Sequence, residues 1–112
     1  MSKVFIPQEP VHRDWKTGEI TPKFDLTPAL QYGEAVVMLP SGNVMLSVQP
    51  MVNTMTTHLS KYSDDDWILC VGDPIAIGLA TAIAAKHNRG RFNMLKWDRK
   101  LRKYIELKGI TI

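Results

Sequence analysis

Gly72-Asp73-Pro74 is the one place in this 112-residue chain where residue order alone suggests a ligand-binding geometry. A strand-like apolar run, Trp67-Ile68-Leu69-Cys70-Val71, leads into it, and an apolar helical pattern from Ile75 follows. The tripeptide therefore falls at the carboxyl end of a strand and the amino end of a helix. In open α/β sheets ligands bind at such points, because unpaired N–H groups and the helix dipole favour anions. A simpler role competes: aspartate is a good helix cap, and proline suits the first helical position. Neither Gly-x-Gly-x-x-Gly nor Gly-Lys-Ser/Thr is present, and a carboxylate would repel phosphate. The cap is the expected chief role, with Gly72 and Asp73 kept as ligand candidates.

A second chemistry is carried by cations. Before Lys86 the chain has five Lys and Arg against nine Asp and Glu, a net of −4, and from Lys86 onward it has nine against two, a net of +7. Arg89, Arg91, Lys96, Arg99, Lys100, Arg102 and Lys103, with Trp97 and Tyr104 among them, form a candidate nucleic-acid-binding set. Cations neutralise phosphates, and aromatic rings stack on unpaired bases. The plainer reading is a charged turn and edge strand that keeps the sheet from aggregating.

Other constellations are weak. Asp64, Asp65 and Asp66 lack the spacing of a calcium loop and read as a solvated connection. His12, His58 and His87 are scattered, and one cysteine cannot build the usual zinc site, so no metal or cofactor is expected. No Gly-x-Ser-x-Gly elbow exists and Cys70 sits mid-strand, so no catalytic residue is assigned and an enzyme is the less favoured class.

The elements that must position these residues follow from pattern. Pro7, Pro10, Pro22 and Pro28 bar a long helix from residues 1–33, which read as an extended N-terminal arm. Within it Arg13 to Ile20 has the form of a hairpin turning at Thr17-Gly18, with Trp15 facing Ile20. Thr27 to Gly33 reads as one helical turn with a threonine cap. Residues 34–112 form a single α/β domain. It starts with a buried strand over Glu34–Leu39, ended by the loop Pro40-Ser41-Gly42-Asn43. Val48, Val52, Met55, Leu59 and Tyr62 then mark an amphipathic helix capped by Ser47. The strand at Trp67, the helix from Ile75 to about His87, a strand over Arg91–Trp97 and a returning strand over Lys103–Leu107 complete the order. Consecutive βαβ units require parallel strands. The expectation is a small Rossmann-like βαβαββ sheet, mostly parallel, with an antiparallel C-terminal edge hairpin.

The stretch Trp67–Ala85 is long and apolar, but Gly72-Asp73-Pro74 interrupts it, which argues against a membrane span. The first ten residues hold no apolar core of signal-peptide length, so neither secretion nor organelle import is expected. The lone Cys70 fits a reducing compartment. The second helix is apolar nearly all round, whereas a helix lying on a sheet should have a polar back. Something must cover that back, and a homo-oligomer built through Ile75 to Ala85 is the favoured answer over the N-terminal arm.

Ser63-Asp64-Asp65-Asp66-Trp67-Ile68, Val71-Gly72-Asp73-Pro74, Gly90-Arg91 and Leu95-Lys96-Trp97-Asp98-Arg99 together resemble a family of small tailed-bacteriophage proteins of no assigned function. The likeness extends back through Phe24-Asp25-Leu26-Thr27-Pro28 and Tyr32-Gly33-Glu34 and covers about three-quarters of the chain. The resemblance implies a viral origin and a host-cytoplasm setting, leaves association with the virion open, and carries over no catalytic residue. The leading expectation is a non-enzymatic accessory protein that self-associates and meets a host or phage protein. Nucleic-acid binding by the basic hairpin is the first alternative, and a small-ligand or metal-dependent enzyme at Asp73 the second.

Overall fold

A computed structural model describes residues 2–22, 26–40 and 47–112. Five strands form one sheet: β1 (Lys3–Gln8), β4 (Glu34–Leu39), β5 (Trp67–Leu69), β6 (Arg91–Asp98) and β7 (Lys103–Thr111). A separate two-stranded sheet joins β2 (Val11–Arg13) to β3 (Ile20–Pro22), and a 3-10 helix spans Thr27–Tyr32. The helices are α1 (Val48–Leu59) and α2 (Pro74–His87). The large sheet has the order β4-β1-β5-β6-β7; the first four strands are parallel and β7 runs antiparallel to β6. The fold is therefore α/β with a mostly parallel sheet and an antiparallel C-terminal edge.

One central strand comes from the segment read as an arm. β1 lies between β4 and β5, pairing Phe5 with Val36 on one side and with Ile68 on the other. Its signal is only Val4-Phe5-Ile6, followed at once by a proline that would normally exclude a central strand. Pro7 is tolerated because the β5 pairing stops at Phe5, so its missing N–H removes no bond on that side. β4 is correspondingly an edge, with Ala35 and Val37 exposed, rather than a fully buried strand. The loop expected after Leu39 lies, from Ser41 on, outside the described residues.

Alternation along β1 divides the core. Phe5 points to one face with Ile68 and Phe92, where Met51, Met55 and Leu59 of α1 and Ala76, Ala80 and Ala84 of α2 pack. Val4 and Ile6 point to the other, with Leu69, Leu95 and Trp67, beneath Ala29 of the 3-10 helix. Small alanines four residues apart let α2 lie close on the sheet, while Met55 and Leu59, fully buried, each contribute roughly 1.5–3 kcal/mol of burial energy. Of the expected stripe, Val52, Met55, Leu59 and Tyr62 pack in this core together with Met51, while Val48 is exposed. Ser47 precedes α1 but its side chain makes no cap bond.

The two faces follow from the connections. β1 reaches β4 through the 3-10 helix on one face, whereas α1 and α2 carry the chain rightward to β5 and β6 on the other. Counted among the parallel strands alone, the order is 2-1-3-4, which puts a topological switch point between β1 and β5. A crevice that could hold a ligand is thus expected outside the ends of β1 and β5, where Gln8 and Gly72 lie.

Candidate functional site

At that switch point the chain satisfies itself. The Asp73 N–H donates to Gln8 Oε1 at 2.8 Å, and the Ile75 N–H donates to Asp73 Oδ1 at 2.8 Å. Asp73 is thereby the α2 cap, as its position next to Pro74 predicts. Gly72 has φ +107°, and a Cβ placed on it would stand 2.7 Å from the Gln8 Cβ. The Gln8 side chain is buried against Gly72. Gly72→Ala should therefore cost about 2 kcal/mol, from the positive φ and the forced retreat of Gln8. Chemical denaturation measures it; an unchanged midpoint would show that Gln8 moves freely. Cys70, one residue beyond β5, is half-buried; burial pushes its thiol up, with Lys96 opposing. A thiol so shifted is a poor nucleophile at neutral pH.

The cations predicted as one set are divided by the length of β6. Arg89 and Arg91 stand at its amino end, and Arg99 to Lys103 beyond its carboxyl end, about 23 Å away at 3.3 Å per residue. Arg91 is engaged: its Nε lies 3.0 Å from Asp64 Oδ1. Hydrogen bonds from Asn88 and Arg91 hold the Asp64 carboxyl below its ordinary range. Lys96 and Trp97 are adjacent and so point to opposite faces. The Trp97 ring is half-buried, packed edge-on against Tyr104 at 5.0 Å between centroids. Its role in the structure is packing.

What stays together is the hairpin tip. The ladder Lys96↔Ile105, Trp97↔Tyr104, Asp98↔Lys103 continues past Leu95, the last residue of β6 that pairs with β5. A two-stranded ribbon results, extending three residue pairs beyond its neighbour. At its end Arg99, Lys100, Leu101, Arg102 and Lys103 are all exposed. Asp98 Oδ1 accepts the Lys100 and Leu101 N–H groups at 2.9 and 3.0 Å, which fixes the turn. Leu101, 60% exposed among these cations, was not singled out by sequence; its only signal is an apolar residue inside a basic run.

The acidic triplet is a structural device. Asp66, buried, accepts the Lys3 N–H and the Ser63 N–H, each at 2.9 Å, which ties β1 to the loop before β5. Asn93 Nδ2 donates to the carbonyls of Asp64 and Asp66 at 2.8 Å, and its Oδ1 accepts the Gly109 N–H at 2.7 Å. The Tyr62 hydroxyl donates to the Asp66 carbonyl at 3.0 Å and accepts the Asn93 N–H at 3.1 Å. Burial pushes the Tyr62 hydroxyl up to about 12. Among the described residues no group of His, Cys, Asp or Glu is arranged to hold a metal ion.

The outer side of α2 is the remaining candidate. Ala76, Ala80, Ile83 and Ala84 face inward, while Ile75, Gly78 and Ala82 are exposed. A Cβ added at Gly78 would meet nothing within 4 Å. From Pro74 to Ala85 the helix carries no charge, so the polar back expected of a surface helix is missing.

A model of the phage Pam3 gp32-like protein family matches residues 2–109. The chain belongs to that family. The match takes in β1, both helices and nearly all of β7, and so includes the segment 2–33 that the sequence pattern reads as an arm. Searches of curated proteins and of solved structures return no match. No described helix of this family member is long and apolar enough to cross a membrane.

Proposed function

We propose that this phage protein is a non-enzymatic accessory protein of the host cytoplasm that works by self-association through the outer face of α2. The observation that carries the reading is the uncharged stripe Ile75-Gly78-Ala82, exposed on a helix whose other side is fully packed. Exposed apolar faces of this kind mark interfaces. The enzymatic reading at Asp73 draws no support from the geometry, since the Asp73 carboxylate and amide are both used within the fold.

Gly78→Arg tests the proposal, because the new side chain has open space in the single chain but would obstruct a partner. Light scattering should give a mass above 12.7 kDa for the native protein and the monomer mass for the variant. At concentrations where the native protein is itself monomeric the variant should melt no lower, since arginine is a better helix former than glycine by about 0.5–1 kcal/mol. A native protein that stays monomeric at high concentration overturns the reading.

The basic ribbon favours a second reading, nucleic-acid binding. Arg99, Lys100, Arg102 and Lys103 are exposed together on a projecting tip, and none of them has an ion pair among the described residues. Oligonucleotide affinity should then fall steeply with salt, and replacing Arg99, Lys100 and Arg102 by alanine should remove about three charges' worth of that slope. An affinity indifferent to salt sinks it.

A further inference from the structure

We infer that the partner covering α2 is the β2–β3 hairpin of a second copy, anchored by Trp15; the inference rests on the self-association reading and specifies its contact. Trp15 is 86% exposed, the most exposed of the large apolar side chains among the described residues. Sequence patterning places it opposite Ile20, but in the structure Arg13 pairs with Ile20 and Trp15 stands in the turn. An indole offers roughly 150–250 Å² for burial, and tryptophan is among the commonest energetic anchors of interfaces.

The turn is built to present it. The Asp14 N–H donates to the Glu19 carbonyl at 2.8 Å, and the Gly18 N–H to the Asp14 carbonyl at 2.7 Å. Asp14 Oδ1 accepts the Lys16 N–H at 2.8 Å, and Thr17 Oγ1 accepts the Glu19 N–H at 3.2 Å. Lys16 Nζ lies 5.3 Å from the centre of the Trp15 ring. A turn fixed by four bonds loses little conformational freedom when it docks. β2 and β3 pair with each other and not with the large sheet, so the turn is free to reach a neighbour.

The outer face of α2 has the complementary form. Gly78 leaves a notch, one helical turn from Ile75 on one side and from Ala82 on the other, where a flat ring can rest on backbone. The charges also match. Trp15 is flanked by Lys16 and by Asp14 and Glu19, and the uncharged face of α2 has Asp73 at one end and Lys86 at the other. Because the two surfaces differ, each copy offers one hairpin and accepts another. Such heterologous contacts build a ring where they close and an open filament where they do not.

Sedimentation velocity on the full chain separates the possibilities. Trp15→Ala and Gly78→Arg should each be monomeric alone. Mixed one to one they should give a single species of twice the monomer mass, because the first keeps an intact α2 face and the second an intact Trp15. If Trp15→Ala assembles like the native protein while Gly78→Arg does not, α2 self-association stands and the hairpin contact is wrong. A mixture that stays monomeric also overturns the hairpin contact. A native protein that is monomeric at every concentration removes both readings.

Discussion

Asn93→Ala is expected to lower stability by about 3 kcal/mol and the melting temperature by about 12 °C, because a buried side chain is lost together with its bonds to three backbone groups, one buried and two part-buried. The Asn93 amide nitrogen serves the carbonyls of Asp64 and Asp66, and its oxygen serves the Gly109 N–H opposite the irregular step between Phe92 and Met94. That step shifts the β6–β7 register and leaves groups without ladder partners, which the Asn93 side chain supplies. Unsatisfied buried groups cost about 1–3 kcal/mol each, and partial hydration offsets part of the total. Asn88→Ala is the control. It removes bonds to Asp64 and to the Arg91 carbonyl at the end of α2, where solvent can replace them, and should cost less than about 1 kcal/mol. Thermal unfolding followed by circular dichroism measures both. Equal effects at the two positions would mean that the Asn93 network is not what holds the loop before β5.

Trp67→Ala should be the more damaging of the tryptophan truncations, at about 4 kcal/mol. Trp67 is 7% exposed and meets the Tyr32 ring edge-on at 5.2 Å, and Tyr32 in turn meets Tyr104 at 6.3 Å. This chain of rings fastens the 3-10 helix to the sheet. The Tyr32 hydroxyl adds a bond of 3.0 Å to Glu106 on β7. Removing Trp67 leaves a cavity and frees Tyr32, so proteolysis within Thr27–Tyr32 should accelerate together with the loss of stability. Trp97→Ala, at a half-buried ring, should cost about half as much. Trp15→Ala should leave the single chain's stability within about 0.5 kcal/mol, because the ring touches little of its own fold. A similar loss at all three positions would contradict this ranking of their surroundings.

Much of the fold was legible. Asp73-Pro74 announced the start of α2, and the residues after Ile75 announced its length. Uninterrupted apolarity identified β5, and the charged turn after Trp97 identified the hairpin. β1 was not legible. Three apolar residues before a proline form too short a pattern, and only pairing on both sides makes them a central strand. The candidate interfaces were legible in part. The uncharged outer face of α2 followed from composition, whereas the exposure of Trp15 and Leu101 depends on which side of a turn faces solvent. The basic residues fall at the two ends of β6, because nearness in sequence along a strand becomes about 23 Å in space.

The class of fold, the boundaries of α2, the charge asymmetry between the two parts of the chain and the resemblance to a phage family can all be read from residue order, since each rests on local pattern or composition. Tertiary packing alone makes β1 a central strand, sets Gln8 against Gly72 and Asp73, and leaves Trp15 and the uncharged stripe of α2 exposed. Those outcomes depend on contacts between residues more than sixty positions apart, such as Gln8 with Asp73 and Lys3 with Asp66. Periodicity reports what a segment can become, and long-range packing selects which of its faces remain for a partner.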